Sequence, residues 1–481
     1  ETISIDRMDF GSRYESAFLA SDDEKAKSKI LKELHTLLHG NFNACIEISI
    51  DYTEAGFYNE AIEILEDFCR QFEDKKQVYP MIYYHLAANY AKIGDFENAQ
   101  KSLKLAFEAD GSYCFPHRLE DIAPLEYAMQ ASPKDSKAPY YLGNLWYDKK
   151  QYDKAAECWK ISCTLDDNFP TVHRNLSLYY FNKKKDPQKA LAEMEKAYAL
   201  DESDARVLLE LDQLYKKIGK SPAKRLEFLE KHFDVVSFRD DLYLEYIALH
   251  NFAGNNEKAK SMLETRNFHP WEGGEGKVPA QYLLAHAELA KKAIKRGDFE
   301  KAAELMQKAL GEYPHNLGEG KLYGAQENNL NYILGCAYEG MNLPDKAAEC
   351  FEKAAVGLSE PAGMMFYNDQ PPEMIYYQGL ALMKLGRKDA AFSRFNKLIA
   401  YGKKHYYDEV RLDYFAVSFP DLMIFDEDLN VRNRLHCLFM MLLGHLGKGE
   451  KDEAMRCLEE IKQIDPNHAG VRFHADVDIF Q

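Results

Sequence analysis

The chain has 481 residues, 46% of them hydrophobic and 29% charged, a length and balance that suit extensive buried cores. With 61 basic against 78 acidic residues the net charge is −17, a diffuse negative field that repels phosphate backbones and makes nucleic acid a poor partner. No run of about 18 apolar residues occurs, so no membrane-spanning helix is expected; nine thinly spread cysteines without a CxxC pair speak against a disulfide framework and a thiolate zinc site.

Residues 1–40 read as a short helical lead-in. The first residue is Glu1, and "ETISIDRMDF" lacks the basic, apolar and small regions of a secretory signal. The expected location is cytoplasmic, with a removed signal left open. From residue 41 onward the dominant feature is a period of helix pairs. The segment 138–166 places Leu142, Gly143 and Trp146 on one helix and Ala155 and Trp159 on the next. The segment 286–314 repeats the pattern with Gly297, Phe299, Ala302, Ala309 and Pro314, and 330–355 repeats it with Leu334, Gly335, Tyr338, Ala347, Phe351 and Ala354. A small residue where two helices touch, aromatics in the grooves and a short turn between make the tetratricopeptide pattern. The small residue early in each second helix falls at Ala61, Ala99, Ala155, Ala190, Ala259, Ala302, Ala347, Ala391 and Ala454, with a degenerate pair near 205–232 whose second helix opens at Pro222. The predicted fold is therefore all-α: an α-solenoid of about ten tetratricopeptide-like pairs in a right-handed superhelix, since no pair buries its apolar face alone. We divide it into first pairs over 41–133 with an insertion at 111–133, a central array over 134–265, and a C-terminal array over 266–481. Cys158, Cys350 and Cys457, each three residues after such an alanine, read as small buried packers.

Turns inside the pairs are short: "IGDF" (93–96), "AGNN" (253–256), "RGDF" (296–299), "NLPD" (342–345) and "LGRKD" (385–389). Connections between pairs are long at 111–121, 266–279, 311–324, 356–372 and 401–432. An antiparallel pair enters and leaves at one end, so the long connections are expected along one edge, where elaborated loops carry function. Two of them echo each other: "FHPWEGGEGK" (268–277) and "NLGEGK" (316–321) flank the pair that follows. Adjacent helix axes lie roughly 8–10 Å apart, which makes Glu275, Lys277, Glu319 and Lys321 expected neighbours. With His269, Trp271, Glu272 and Asn316 they form a candidate polar pocket with an aromatic wall, suited to a hydroxyl-rich ligand or a partner loop. The plainer reading is structural closure: Gly and Pro stop helices, and Trp271 plugs a gap. "GGEGK" is no phosphate loop, because Val278 stands where Ser or Thr is needed and no strand precedes it. The C-terminal stretch "GVRFHADVDIFQ" reads as a cap of the array or a contact to a second copy.

At "YCFPHRLED", "KAPYYLGNLWYDKKQYDKA", "VHRNLSLYYFNK", "DARVLLELDQLYK", "RDDLYLEY", "FHPWEGGEGKV" and "PHNLGEGKL" the chain resembles the tetratricopeptide half of certain large bacterial proteins. Those proteins usually carry an N-terminal β-sandwich of galactose-mutarotase-like type with no assigned function. No stretch of 1–481 reads as that sandwich, which leaves it upstream of Glu1 or on a partner chain. The resemblance implies a carbohydrate-related context by fold analogy alone, and it supplies no catalytic residues, metal or cofactor. Within the matched stretches, Arg118, Arg174, Asn175, Glu210, Asp241 and Tyr243 are candidate binding residues. Arg174 with Glu210 or Asp241 is expected either as a structural ion ladder or as part of a gripping groove, since buried charges need partners. A comparison with tetratricopeptide adaptors that clamp a C-terminal carboxylate matches Asn144, Asn175 and Arg206 but fails at Tyr140 and Glu210; Glu210 would repel the carboxylate. The leading functional expectation is a non-catalytic scaffold that binds a protein partner, or a tethered β-sandwich domain, through first-helix surfaces and the loop-rich edge. The alternative is a carbohydrate-processing protein whose loops 268–277 and 315–321 complete a sugar site.

Overall fold

In the computed structural model, residues 2–20, 22–322, 324–363, 371–410 and 424–475 are described. Parts of the connections 356–372 and 401–432, and residues 476–481 of the C-terminal stretch, lie outside them. Among the described residues every regular element is a helix, as the periodicity predicts. The chain divides into two compact units, Glu1–Lys185 and Asp186–Gln481.

The first unit contains α1 (Thr2–Ile5), α2 (Phe10–Leu19), α3 (Glu24–Leu38), α4 (Phe42–Glu54), α5 (Tyr58–Arg70), α6 (Pro80–Lys92), α7 (Phe96–Glu108), α8 (Ile122–Ala131), α9 (Lys137–Asp148), α10 (Tyr152–Leu165) and α11 (Pro170–Asn182). Helices α2 and α3 pack together, as do α4 and α5, α6 and α7, and α9 and α10. The insertion 111–133 builds α8, which packs on α6 and α9. It is tied down by a buried polar contact, His85 Nε2 at 2.9 Å from Asp121 Oδ1, and just beyond it Tyr84 donates to Asp135 Oδ2 at 2.8 Å. Such pairs recover the desolvation cost of burying these groups.

The second unit contains α12 (Pro187–Leu200), α13 (Ala205–Lys217), α14 (Pro222–Lys231), α15 (Phe233–Val236), α16 (Asp240–Phe252), α17 (Asn256–Thr265), α18 (Lys277–Lys295), α19 (Phe299–Leu310), α20 (Asn328–Gly340), α21 (Pro344–Ala355), α22 (Pro372–Lys384), α23 (Lys388–His405), α24 (Leu429–Lys448), α25 (Lys451–Ile464) and α26 (Ala469–His474). The pair expected over 170–200 thus contributes one helix to each unit. From α16 onward the packing is regular. Each second helix contacts its own first helix and the first helix of the next pair, and α16, α18, α20, α22 and α24 contact one another in succession as a row of first helices.

The local chemistry behind this regularity is visible in the turns. Gly94 and Gly297 close one helix in the left-handed region (φ 79° and 77°), and Asp95 and Asp298 then cap the next by accepting from the Asn98 and Lys301 amides. All nine marker alanines are buried. Opposite them, glycines of the first helices receive aromatic rings of the second. A Cβ on Gly143 would lie 2.5 Å from the Trp159 ring, and one on Gly335 would lie 2.5 Å from Phe351. Cys158 and Cys457 are buried, and burial pushes both thiols up to about 11, so they pack rather than react at neutral pH.

Burial also sets a pH dependence. It lowers His250 to about 4 and His474 to about 3, and it lowers His286, His436 and His468 as well; all five belong to the second unit. The His250 and His474 rings stay neutral when folded but take protons when unfolded below about pH 6.5. Stability is therefore present above that value and lost as pH falls from 6.5 towards 4, by about 1.4 kcal/mol per pH unit for each fully affected ring. Urea unfolding at pH 7 and pH 5 measures this. His250→Phe should lose about 2 kcal/mol less than the unmodified chain across that interval; an unchanged difference would show that His250 does not titrate in this way.

Candidate functional site

The two glycine-and-glutamate connectors meet. The Phe268 amide donates to the Asn316 carbonyl at 2.8 Å, and the Gly276 amide donates to Glu319 Oε2 at 2.7 Å. Gly318 sits in the left-handed region (φ 79°), and a Cβ on it would lie 2.5 Å from the Phe268 carbonyl oxygen, so the approach requires glycine there. Gly276, also left-handed, precedes α18 and leaves its own amide free for Glu319. The carboxylate meets one orphan amide, that of Gly276, at the helix start.

Several candidate residues are occupied in holding this geometry. Asn316 Nδ2 donates to the carbonyls of Leu263 and Arg266 at 2.7 and 2.8 Å, closing the C-terminus of α17. Lys321 Nζ donates to the Leu310 carbonyl at 2.8 Å at the end of α19 and pairs with Glu327 at 2.5 Å. Lys321 is thereby directed to the α19 end and the approach to α20, while Glu319 is directed to Gly276. The half-buried Trp271 packs its indole against buried Gly274, where a Cβ would collide with the ring. His269 is exposed, with its amide and Nδ1 at 2.9 and 3.1 Å from Asp240 Oδ2. The Asp240 carboxylate also receives Arg266 Nε at 2.7 Å. Arg266 in turn lies over the Tyr243 ring, 4.3 Å from its centroid.

Glu272, Glu275 and Lys277 are exposed on this edge. Glu275 Oε1 accepts from the Gly273 amide at 3.3 Å. The edge is thus a fixed backbone frame carrying a small set of solvent-facing charges. Beside it, a groove of about 650 Å³ opens between the 324–328 stretch, the end of α21 and Val356–Leu358, with Asn331 and Lys353 among its lining residues.

The remaining candidates fall elsewhere. Arg118 reaches from the insertion to α4 of the first unit, donating to Asn43 Oδ1 at 3.1 Å and Glu47 Oε1 at 2.6 Å. Arg174 Nη1 donates to Asn175 Oδ1 at 3.2 Å, and Asn175 Nδ2 donates to Asn144 Oδ1 at 3.1 Å; Asn144 also receives the Trp159 indole N–H. In the second unit Arg206 Nε reaches Glu210 at 3.0 Å, and Arg239 reaches both Asp241 oxygens, at 3.0 and 2.6 Å. The residues that sequence reasoning missed are partners rather than motif members. Arg225, on the degenerate α14, clasps Asp212 at 3.0 and 2.5 Å and Glu245 at 2.7 Å. Its only signal was a basic residue shortly after the Pro222 helix start.

Family models described as tetratricopeptide repeat match residues 82–113, 329–355 and 373–401. These matches fall on α6–α7, α20–α21 and α22–α23. Solved structures similar to this chain include a tetratricopeptide repeat protein from Parabacteroides merdae, 15% identical over 62% of this chain and 98% of that one, with a TM-score of 0.27. Another is the Cut9–Hcn1 hetero-tetramer of the APC/C, 14% identical over 89% and 95%, with a TM-score of 0.27. A third is YrrB, described as a TPR protein with an unusual peptide-binding site, 17% identical over 43% and 94%, with a TM-score of 0.21. No described helix is long and apolar enough to cross a membrane. The fold is an all-helical array that contains tetratricopeptide repeats.

Proposed function

We propose that the chain is a non-catalytic scaffold that holds a folded protein domain on the connector edge of its second unit. A galactose-mutarotase-like β-sandwich, tethered or separate, is the first candidate. The observation that supports this reading is the union of the two connectors through Gly276 and Glu319. A frame fixed by one backbone–backbone bond and one amide-to-carboxylate bond presents Glu272, Glu275 and Lys277 without the ordering cost that a mobile loop would add on binding. Exposed charges of both signs supply orientation and specificity more than affinity.

Calorimetric titration of the chain with such a sandwich domain, added as a separate protein, tests the reading. A complex is expected, and the triple variant Glu272→Ala, Glu275→Ala, Lys277→Ala should bind at least about tenfold more weakly, a loss of about 1.4 kcal/mol, with an unchanged melting temperature. No complex, or a variant that binds as well as the unmodified chain, would refute the docking role. A large drop in melting temperature would instead show that these side chains close the structure.

A further inference from the structure

The row of first helices in the second unit is occupied by a segment from the same chain. After α25 the backbone turns at Asp465–Asn467, and His468–Ala475 crosses four members of that row. On α24, the His468 ring lies 5.2 Å from the Phe439 ring, and Gly470 comes so close that a Cβ would sit 2.7 Å from Phe439 Cζ. On α16, Phe473 meets the Phe252 ring edge-on at 6.0 Å, and Arg472 Nε donates to the Phe252 carbonyl at 3.3 Å. On α22, His474 Nδ1 is 3.3 Å from the Tyr377 hydroxyl, and its Nε2 is 3.8 Å from Glu373 Oε1.

The contacts on α18 say most about chemistry. Lys291 and Glu288, nearly fully buried and one turn apart, pair at 2.7 Å. Lys291 Nζ also donates to the Phe473 carbonyl at 2.6 Å, and Arg472 approaches Glu288 at 4.0 Å. Charges are buried economically only when paired and hydrogen-bonded. Part of that requirement is met here by a carbonyl and a guanidinium from about 180 residues further along the chain. Side-chain pockets for an aromatic residue, a carboxylate for a cation and an ammonium for a backbone carbonyl together make a peptide-recognition surface.

We propose that the first helices α16, α18, α22 and α24 form a peptide-binding groove that the chain's own His468–Ala475 fills, so that a partner segment of Arg-aromatic sequence binds only by displacing it. This groove is separate from the connector edge, and the two readings stand or fall independently. Occupation by an internal segment lowers the apparent affinity for an external one by the fraction of time the groove is free. The chemistry specifies a segment with an aromatic side chain, a preceding cation for Glu288 and a free carbonyl for Lys291.

The test uses the full chain and a fluorescein-labelled peptide of sequence PNHAGVRFHA, corresponding to residues 466–475, followed by fluorescence anisotropy. The unmodified chain should bind it weakly. The variant Arg472→Ala, Phe473→Ala, which releases the internal segment, should bind at least tenfold more tightly, and adding Lys291→Met should abolish that gain. No gain in the released variant, or a gain that survives Lys291→Met, would overturn the proposal. A released variant that no longer unfolds cooperatively would overturn it as well, by showing the segment to be an integral part of the core. As an independent measure, amides of 470–475 in the unmodified chain should exchange at least tenfold faster than those at the centres of α22 and α24; equal protection would contradict a displaceable segment.

Discussion

Replacing Arg225 with methionine is expected to cost about 3–5 kcal/mol, because it strands a buried carboxylate. Asp212 is fully buried, and both of its oxygens receive Arg225, at 3.0 and 2.5 Å. The same guanidinium reaches Glu245 at 2.7 Å, so three elements, α13, α14 and α16, are joined through one side chain. Lys216 also lies 3.3 Å from Glu245 but is largely exposed and cannot take over the bidentate contact with Asp212. The double variant Asp212→Leu, Arg225→Met removes the pair as well as the stranded charge. It should be more stable than Arg225→Met alone, since an apolar replacement of a buried pair is often close to neutral. Urea unfolding of the two variants decides this: if the single and double variants lose stability equally, the cost lies in packing and the ion pair contributes little.

The second large effect is expected at Phe395. Its ring is fully buried in a slot whose walls are Gly379 of α22 and Gly447 of α24, and a Cβ at either glycine would collide with it. Phe395→Ala should cost about 3–5 kcal/mol through lost transfer energy and the cavity left behind. Gly379→Ala should cost about 1–3 kcal/mol by overpacking the same slot. Combining Gly379→Ala with Phe395→Leu relieves the overlap, so the double variant should lose less than the sum of its single changes. Strict additivity in thermal or urea unfolding would mean that the ring and the glycine do not share the slot.

The glycine–aromatic and alanine markers explain why so much of the fold was legible. A tetratricopeptide pair is specified by local spacing, and Gly143 with Trp159, Gly335 with Phe351 and the nine buried alanines all act within one pair of helices. The GDF turns are equally local, since a left-handed glycine and an aspartate cap need only their immediate neighbours. The meeting of the two connectors was also legible, because antiparallel pairs return the chain to one end. Which side chains stay outward was not. Asn316 reads from sequence like Glu319, yet it is spent on the carbonyls that end α17, while Lys321 turns to Leu310 and Glu327. The hydrogen bonds that decide this belong to three-dimensional geometry, not to spacing. Arg225 with Asp212, and Lys291 with the Phe473 carbonyl, are longer-range still, the latter across 182 residues. No periodic pattern encodes such partners.

Hydrogen exchange of the chain, with and without the sandwich domain, tests the connector edge most directly. In the free chain the Phe268 and Gly276 amides should already be protected, because both are hydrogen-bonded across the two connectors. Adding the domain should slow exchange further across 268–277 and 315–321 and leave the opposite turns, around Gly254 and Gly297, unchanged. Rapid exchange of Phe268 and Gly276 in the free chain, or protection that falls on those turns and spares the connectors, would contradict a preformed docking edge.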